Sequence, residues 1–196
     1  YAIWDDHDFG PNDADGSWVN ADIAREAFDL FWPNPAGRAP GVGGITTAFS
    51  YGDVDFFLLD NRSFRVPPDV RTDTAQMFGE AQLDWLIRGL KYSDATFRIV
   101  ATGGQVLNTA AVYENYAAYP RERQRLLDRL NAEGIRNVIL LTGDRHHTVL
   151  SKLGQKNGLP LYDLTVSPLT STSYQPNENN TLAVEGTVVA DRNFAI

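Results

Sequence analysis

The stretch Val138-Ile-Leu-Leu-Thr-Gly-Asp-Arg-His-His147 decides how the rest of the chain is read. Its first five residues read as a buried strand, and Gly143 turns the chain. An acid, a guanidinium and two imidazoles follow at once. The chain has three histidines, and the remaining one, His7, stands in Trp4-Asp-Asp-His-Asp8. Every histidine therefore lies in one of two short acidic clusters, each placed after an apolar run. Functional groups at the C-terminal ends of strands are typical of α/β sites. The grouping predicts that the two clusters meet in the fold and hold metal.

Composition sets the outer bounds. The 196 residues suffice for one sizeable core or for part of a larger one. A hydrophobic fraction of 43% and a charged fraction of 21% are ordinary for a globular protein. A net charge of −8 argues against broad binding to nucleic acid or to anionic membrane. A local basic or metal-lined pocket could still take an anion. With no cysteine, disulfides, thiolate catalysis and cysteine-bound zinc are excluded. No apolar run is long enough to span a bilayer as a helix, and no signal-peptide pattern is present. The sequence opens on Tyr-Ala-Ile-Trp, without Met, like the end of a strand already under way. The expectation is the C-terminal part of a longer protein.

Outward from the central stretch, periodicity predicts the elements. Residues 1–4 read as a short buried strand, and 9–17 as a Gly/Pro/Asn/Asp loop. Asn20 would cap a helix over 21–32, with Ile23, Ala27, Phe28 and Phe31 on its apolar face. Three prolines and four glycines between Trp32 and Gly44 exclude regular structure. Strands 45–50 and 54–59 would form a hairpin, followed by a polar loop over 66–78. Leu83, Leu86, Ile87 and Leu90 mark a helix over 80–92. A strand over 97–101, a helix from Pro120 to a stop at Gly134, and a strand over 137–142 would make a βαβ unit, so part of the sheet is parallel. Segments 148–153 and 160–166 would pair as a hairpin across 154–158. Ser167 to Asn180 reads as a loop, and 185–190 as a closing strand. Trp4 and Trp85 are expected in the core.

Carboxylate, amide oxygen and imidazole suit a hard metal ion. Asp6, Asp144 and His146 have these types on strand-end loops. Spacing i, i+2 in a turn would let Asp144 and His146 face the same way. Gln105, after a strand and two glycines, could reach a metal or its water. Two metals roughly 3.5–4 Å apart can clamp a phosphoryl group. His7 would then be free to protonate a leaving alkoxide, with Asp8 orienting it. Arg145 and Asn12 are candidates for contacting substrate, although Asn12 also fits a plain turn. Either acidic cluster alone would more often be a solvated or capping cluster; their co-occurrence favours metal. His147 is expected to be structural. Asp60 and Arg62 would form an internal ion pair beneath the site. Two other classes stay open: a non-catalytic binding or structural fragment without a complete site, and a two-carboxylate hydrolase without metal, for which nothing pairs the acids specifically.

Six stretches in one order resemble the PhoD-like alkaline phosphatase family of metallophosphoesterases. They are Trp4-Asp-Asp-His-Asp-Phe-Gly-Pro-Asn12, Leu58-Leu-Asp-Asn-Arg-Ser-Phe-Arg65, Gly79-Glu-Ala-Gln-Leu-Asp-Trp-Leu86, Val100-Ala-Thr-Gly-Gly-Gln105, Leu140-Leu-Thr-Gly-Asp-Arg-His146 and Leu164-Thr-Val-Ser-Pro-Leu-Thr170. The resemblance implies an α/β fold, part of a four-layer α/β/β/α sandwich with mixed sheets. Residues 1–196 would then be one catalytic domain lacking its N-terminal portion. It also implies a metal-dependent hydrolase of phosphoric esters, in which metal-bound hydroxide attacks phosphorus.

Asp6 and His7 take the places of the bridging Asn and the substrate-side His of the wider pattern. Gly143-Asp-Arg-His146 matches the closing Gly-His-x-His, with Asp144 in place of the first His. Gln105 stands where the middle metal-binding His is expected. Two Asp-bearing blocks that open the family pattern have no counterpart after Tyr1, so the parent is expected to be a phosphatase and the isolated chain to hold about half the ligands. Two or more metal ions are implied, with iron and calcium as one pair, together with a phosphate ester substrate and an extracytoplasmic location.

Overall fold

Tyr51 and Val54 face each other across Gly52-Asp53, and this two-residue turn closes the hairpin expected near the start of the chain. The computed structural model describes residues 1–35, 38–69, 73–156 and 159–196. The expected loop positions 36–37, 70–72 and 157–158 lie outside the described residues. The chain separates into two compact units, Tyr1–Thr102 and Gly103–Ile196.

In the first unit, β1 (Thr47–Tyr51) pairs antiparallel with β2 (Val54–Leu58), and β2 pairs parallel with β3 (Phe97–Ala101). The helix α3 (Glu80–Tyr92) spans the predicted residues. Its stripe Leu83, Leu86, Ile87 and Leu90 is buried to 3% exposure or less. Each such side chain contributes about 1.5–3 kcal/mol of burial. The helix lies against β2 at Gly89, where an added Cβ would stand 2.4 Å from Phe57 Cε1. The Phe57 ring also meets Trp85 edge-on at 5.8 Å. Trp85 is thus only half-buried and covers Phe57 from the rim.

Two N-terminal expectations change. Residues 1–5 form no strand. Both backbone groups of Ala2 are taken by the side-chain amide of Asn34, at 2.8 and 2.7 Å, which replaces a ladder partner. A one-turn helix, α1 (Asp6–Phe9), follows at once. The second helix, α2 (Ala21–Phe31), lies where periodicity placed it, but of its expected apolar face only Phe28 is buried. Phe28 joins Trp4, Phe9 and Ile45 in a small core, while Ile23 and Phe31 are 64% and 77% exposed. Ala21 and Ala24 pack beside Phe28 against this core, so the helix is held by a narrower face than the expected one.

In the second unit, β4 (Val138–Thr142) pairs parallel with β6 (Leu161–Thr165), and β6 pairs antiparallel with β5 (Val149–Leu153). The helix α4 (Pro120–Ala132) buries Leu126, Leu127 and Leu130. Both units mix parallel and antiparallel pairing, as expected for this α/β class. The closing strand over 185–190 does not form. Its segment meets the sheet by single bridges, Thr148 with Val189 and Ser151 with Ala183, and by the Thr187 hydroxyl, which accepts from the Leu150 amide at 3.2 Å. Gly186, at φ +79°, breaks the extended run between those bridges. Among the described residues no helix is long and apolar enough to cross a membrane.

Candidate functional site

The first unit presents its candidates on α1 and the turn after it. Asp5 precedes the helix, and its backbone N–H donates to the Asp8 carboxylate at 3.2 Å, a capping arrangement. Asp8 is therefore engaged with the helix start rather than with His7. Asp6 is 7% exposed, and its two oxygens accept from the His7 and Asp13 amides at 2.8 and 3.0 Å. Those bonds fix the carboxylate and leave further lone pairs available. His7 projects outward with its side chain 76% exposed, Nε2 lying 3.9 Å from Asp6 Oδ2. Asn12 is exposed in the turn between Pro11 and Asp13.

Two further acids, not foreseen, stand beside Asp6. Carboxylate oxygens of Asp5 and Asp6 lie within 4.8 Å of one another, as do those of Asp6 and Asp13. Asp5 accepts from Arg62 Nε at 2.6 Å and from Asn61 at 2.8 Å, yet its Oδ2 is buried without a hydrogen-bond partner. Burial pushes the Asp5 carboxyl above its usual range, and Arg62 and Asn61 offset only part of that. An unpaired carboxylate oxygen next to a fixed carboxylate fits a cation.

The expected Asp60–Arg62 arrangement is different in detail. Asp60, fully buried, accepts from Trp4 Nε1, from the amides of Ile45, Arg62 and Ser63, and from the Ser63 hydroxyl, all at 2.7–3.0 Å. It holds the backbone under Trp4, while the Arg62 guanidinium reaches Asp5.

In the second unit the central stretch ends as a strained turn. The Arg145 N–H bonds back to the Gly143 carbonyl at 2.8 Å, with Asp144 between them at φ +68°. This is a γ-turn of the rare, positive-φ kind. His146 is also left-handed, at φ +55°. Two non-glycine residues so placed, one residue apart, carry strain of the sort kept at functional sites. Asp144 is exposed and His146 half-buried.

His146 is oriented by a segment with no motif in it. Its Nδ1 lies 2.5 Å from the Thr172 carbonyl, and its own carbonyl accepts from the Tyr174 amide at 2.9 Å. The Tyr174 ring stacks on the imidazole at 5.1 Å. A carbonyl only accepts, so in the neutral ring the proton is on Nδ1 and the Nε2 lone pair is available. A carbonyl behind one ring nitrogen is the usual backing of a metal-binding histidine.

Arg145 turns away from solvent. Its side chain is 5% exposed and Nη2 donates to Glu178, also 5% exposed, at 2.8 Å. The guanidinium carbon sits 4.2 Å from the Tyr113 ring centre, and Nη1 is buried without a partner. His147 is 2% exposed; burial first, then Arg145, pulls its pKa below the usual imidazole value. It is a neutral interior residue, in keeping with a structural role.

Gln105 is 1% exposed, donating to Thr165 Oγ1 at 2.9 Å and accepting from Asn108 at 2.8 Å. Asp163 lies below, with Oδ2 accepting from the amides of Val106 and Leu107 and Oδ1 from the Thr142 hydroxyl, all within 2.8 Å. It ties the loop after Gly104 to the end of β4. Desolvation raises its pKa.

The chain as a whole matches known proteins. The sequence model of the PhoD-like phosphatase family matches residues 1–194. Alkaline phosphatase D of Bacillus subtilis (strain 168) is 25% identical over 182 residues, covering 76% of this chain and 31% of that protein. The chain thus spans about a third of that relative's length. The solved structure of PhoD superposes with a TM-score of 0.69 at 23% identity, covering 87% of this chain and 40% of that one. The purple acid phosphatase PPD1 from yellow lupin (Lupinus luteus) seeds gives 0.58 at 12% identity, covering 87% and 30%. At those identities the two structures speak for the fold, which is metallophosphoesterase-like. With the family model matched along nearly its whole length, the chain belongs to the PhoD-like phosphatase family.

Proposed function

We propose that this chain is part of a metal-dependent hydrolase of phosphoric esters, its two units being parts of one catalytic domain. The observation that carries the proposal is the backing of His146 by the Thr172 carbonyl, which leaves the Nε2 lone pair available. The unpaired Asp5 Oδ2 beside the fixed Asp6 carboxylate supports it from the first unit. Family membership supplies the reaction class.

In this reading Asp6, Asp144 and His146 hold metal, and Asp5 and Asp13 add negative charge next to Asp6. When bound, the metal would supply Lewis acidity, lowering the pKa of a coordinated water and neutralising phosphoryl oxygens. The chain's own groups do the rest. His7, outward-facing beside Asp6, gives a proton to the departing ester oxygen as the phosphorus–oxygen bond breaks. Asn12, exposed in the adjoining turn, is the candidate for meeting the ester.

Gln105 and Arg145 take supporting parts. Both ends of the Gln105 amide are in hydrogen bonds, so it shapes the loop beside the ligands. Arg145 is held beneath Tyr113 in an ion pair, so it holds structure rather than meeting the ester. Asp8 caps α1.

The test is metal analysis of the full-length protein together with phosphate release from an aryl phosphate, with and without a chelator. Bound metal and chelator-sensitive release are expected. No metal and no release would favour the competing reading, a fold kept as a binding or structural piece. Separate assays on an aryl monoester and a bis-aryl diester divide phosphatase from phosphodiesterase. An extracytoplasmic location rests on the family resemblance and is tested by cell fractionation.

A further inference from the structure

The segment from Thr172 to Glu178 contains no helix or strand, yet it grips two consecutive residues of the central stretch. At one end the Thr172 carbonyl accepts from His146 Nδ1, and Tyr174 gives its amide and its ring face to the same residue. At the other end Glu178 closes an ion pair with Arg145, both side chains 5% exposed. Glu178 Oε1 also accepts from Asn108 at 3.3 Å, and Oε2 accepts from the Asn177 amide at 3.2 Å. Asn108 in turn donates to Gln105. Without a ladder of its own, such a segment keeps its shape through discrete bonds. The pair with Arg145 is a buried charge contact, screened little by salt, and losing one partner would strand the other.

We propose that Glu178 is a positioning residue: by pairing with Arg145 it fastens the 172–178 segment so that the Thr172 carbonyl holds His146 in the Nδ1–H tautomer, with Nε2 presented to metal. The proposal rests on the reading of His146 as a metal ligand. It adds a residue outside every motif and makes the buried Arg145 the fixed point of the arrangement. The Tyr113 ring over the guanidinium closes that point from solvent.

The experiment uses the full-length protein with 15N-labelled histidine. In the metal-free wild type, NMR is expected to show His146 as the Nδ1–H tautomer, and hydrogen exchange to show a protected Tyr174 amide. Glu178→Ala is expected to mix the tautomers, to expose that amide, and to weaken zinc binding, read by calorimetry, about 10- to 100-fold, the usual loss for an outer-shell partner. Glu178→Gln keeps an acceptor for Arg145 but loses the charge and turns an NH2 group toward the Asn177 amide, so its loss of metal affinity should be smaller than that of Glu178→Ala. Wild-type tautomer, protection and zinc affinity in both variants would overturn the proposal, as would zinc affinity in Glu178→Gln falling as far as in Glu178→Ala. The tautomer and exchange measurements need no activity. A wild type with the Nδ1–H tautomer and the protected amide but no zinc affinity would instead defeat the metal-ligand reading and, with it, the purpose assigned to Glu178.

Discussion

The Nδ1 atom of His146 lies 2.5 Å from the Thr172 carbonyl oxygen, so a backbone group 26 residues further along decides which ring nitrogen is open. The ring is only half-buried, and its removal leaves little cavity. His146→Ala should therefore weaken metal binding by at least about 10-fold, no less than the loss of an outer-shell partner. The midpoint of metal-free unfolding should move by less than about 1 kcal/mol equivalent. Calorimetric titration and urea unfolding separate the two.

Asp6 combines a charge with two backbone acceptors, to His7 and to Asp13. Asp6→Asn keeps an acceptor for one amide but turns an NH2 group toward the other and removes the charge. It should lose metal affinity and also loosen the turn after α1. Limited proteolysis within residues 9–17 should quicken. Unchanged cleavage would detach the carboxylate from the turn.

Asp163 allows a pH prediction. Burial raises its pKa, so the folded state binds the proton more tightly than the unfolded chain does. Its contribution is most favourable below the unfolded pKa, about 3.9, and is lost as pH rises through the folded pKa. Asp163→Asn can keep the arrangement, with its oxygen on the Val106 and Leu107 amides and its NH2 donating to the Thr142 hydroxyl. Its stability relative to wild type should rise as pH increases from about 4. Asp163→Leu strands both amides and should cost about 2–5 kcal/mol. Urea titrations across pH measure both.

Gly89 sets two effects against each other. Alanine in a helix interior gains about 0.8–1 kcal/mol over glycine. Here its methyl would meet the Phe57 ring at 2.4 Å, and that ring is 5% exposed and braced by Trp85. Overpacking of this kind costs about 1–3 kcal/mol, so Gly89→Ala should destabilise. Placing it in a Phe57→Leu background should recover part of the loss, read as a coupling in a double-mutant cycle.

Periodic segments were the legible part of the fold. The stripe in α3, the two hairpins and the strand before Gly143 announce themselves because burial repeats at a fixed spacing. The failures lie where periodicity does not encode local bonds, backbone conformation or the packing partner. Asn34 takes both backbone groups of Ala2 and leaves no strand there. Gly186 interrupts the closing strand. The apolar residues of α2 follow the helical repeat although Ile23 and Phe31 face solvent.

Asp144 and His146 were legible as residue types after a strand and Asp6 as an acid in a cluster, but their supports were not. Asp5 was visible as one more acid in a run, without sign of its pairing with Arg62. Glu178 lies in Gln175-Pro-Asn-Glu-Asn-Asn180, which reads as loop; only the folded chain shows it against Arg145. Arg145 itself invited a role in binding substrate because a guanidinium beside candidate ligands suggests phosphate. Its 5% exposure reverses that emphasis.

The central claim, metal-dependent phosphoester hydrolysis with His7 as proton donor, is tested most directly by His7→Ala in the full-length protein. Metal content and steady-state release from an aryl phosphate are measured on the same preparation. The account predicts an unchanged metal content and a kcat lowered about 10²- to 10⁴-fold, the usual contribution of a positioned acid. A variant that hydrolyses the ester as fast as wild type, or a wild type whose activity survives complete removal of metal, would contradict it.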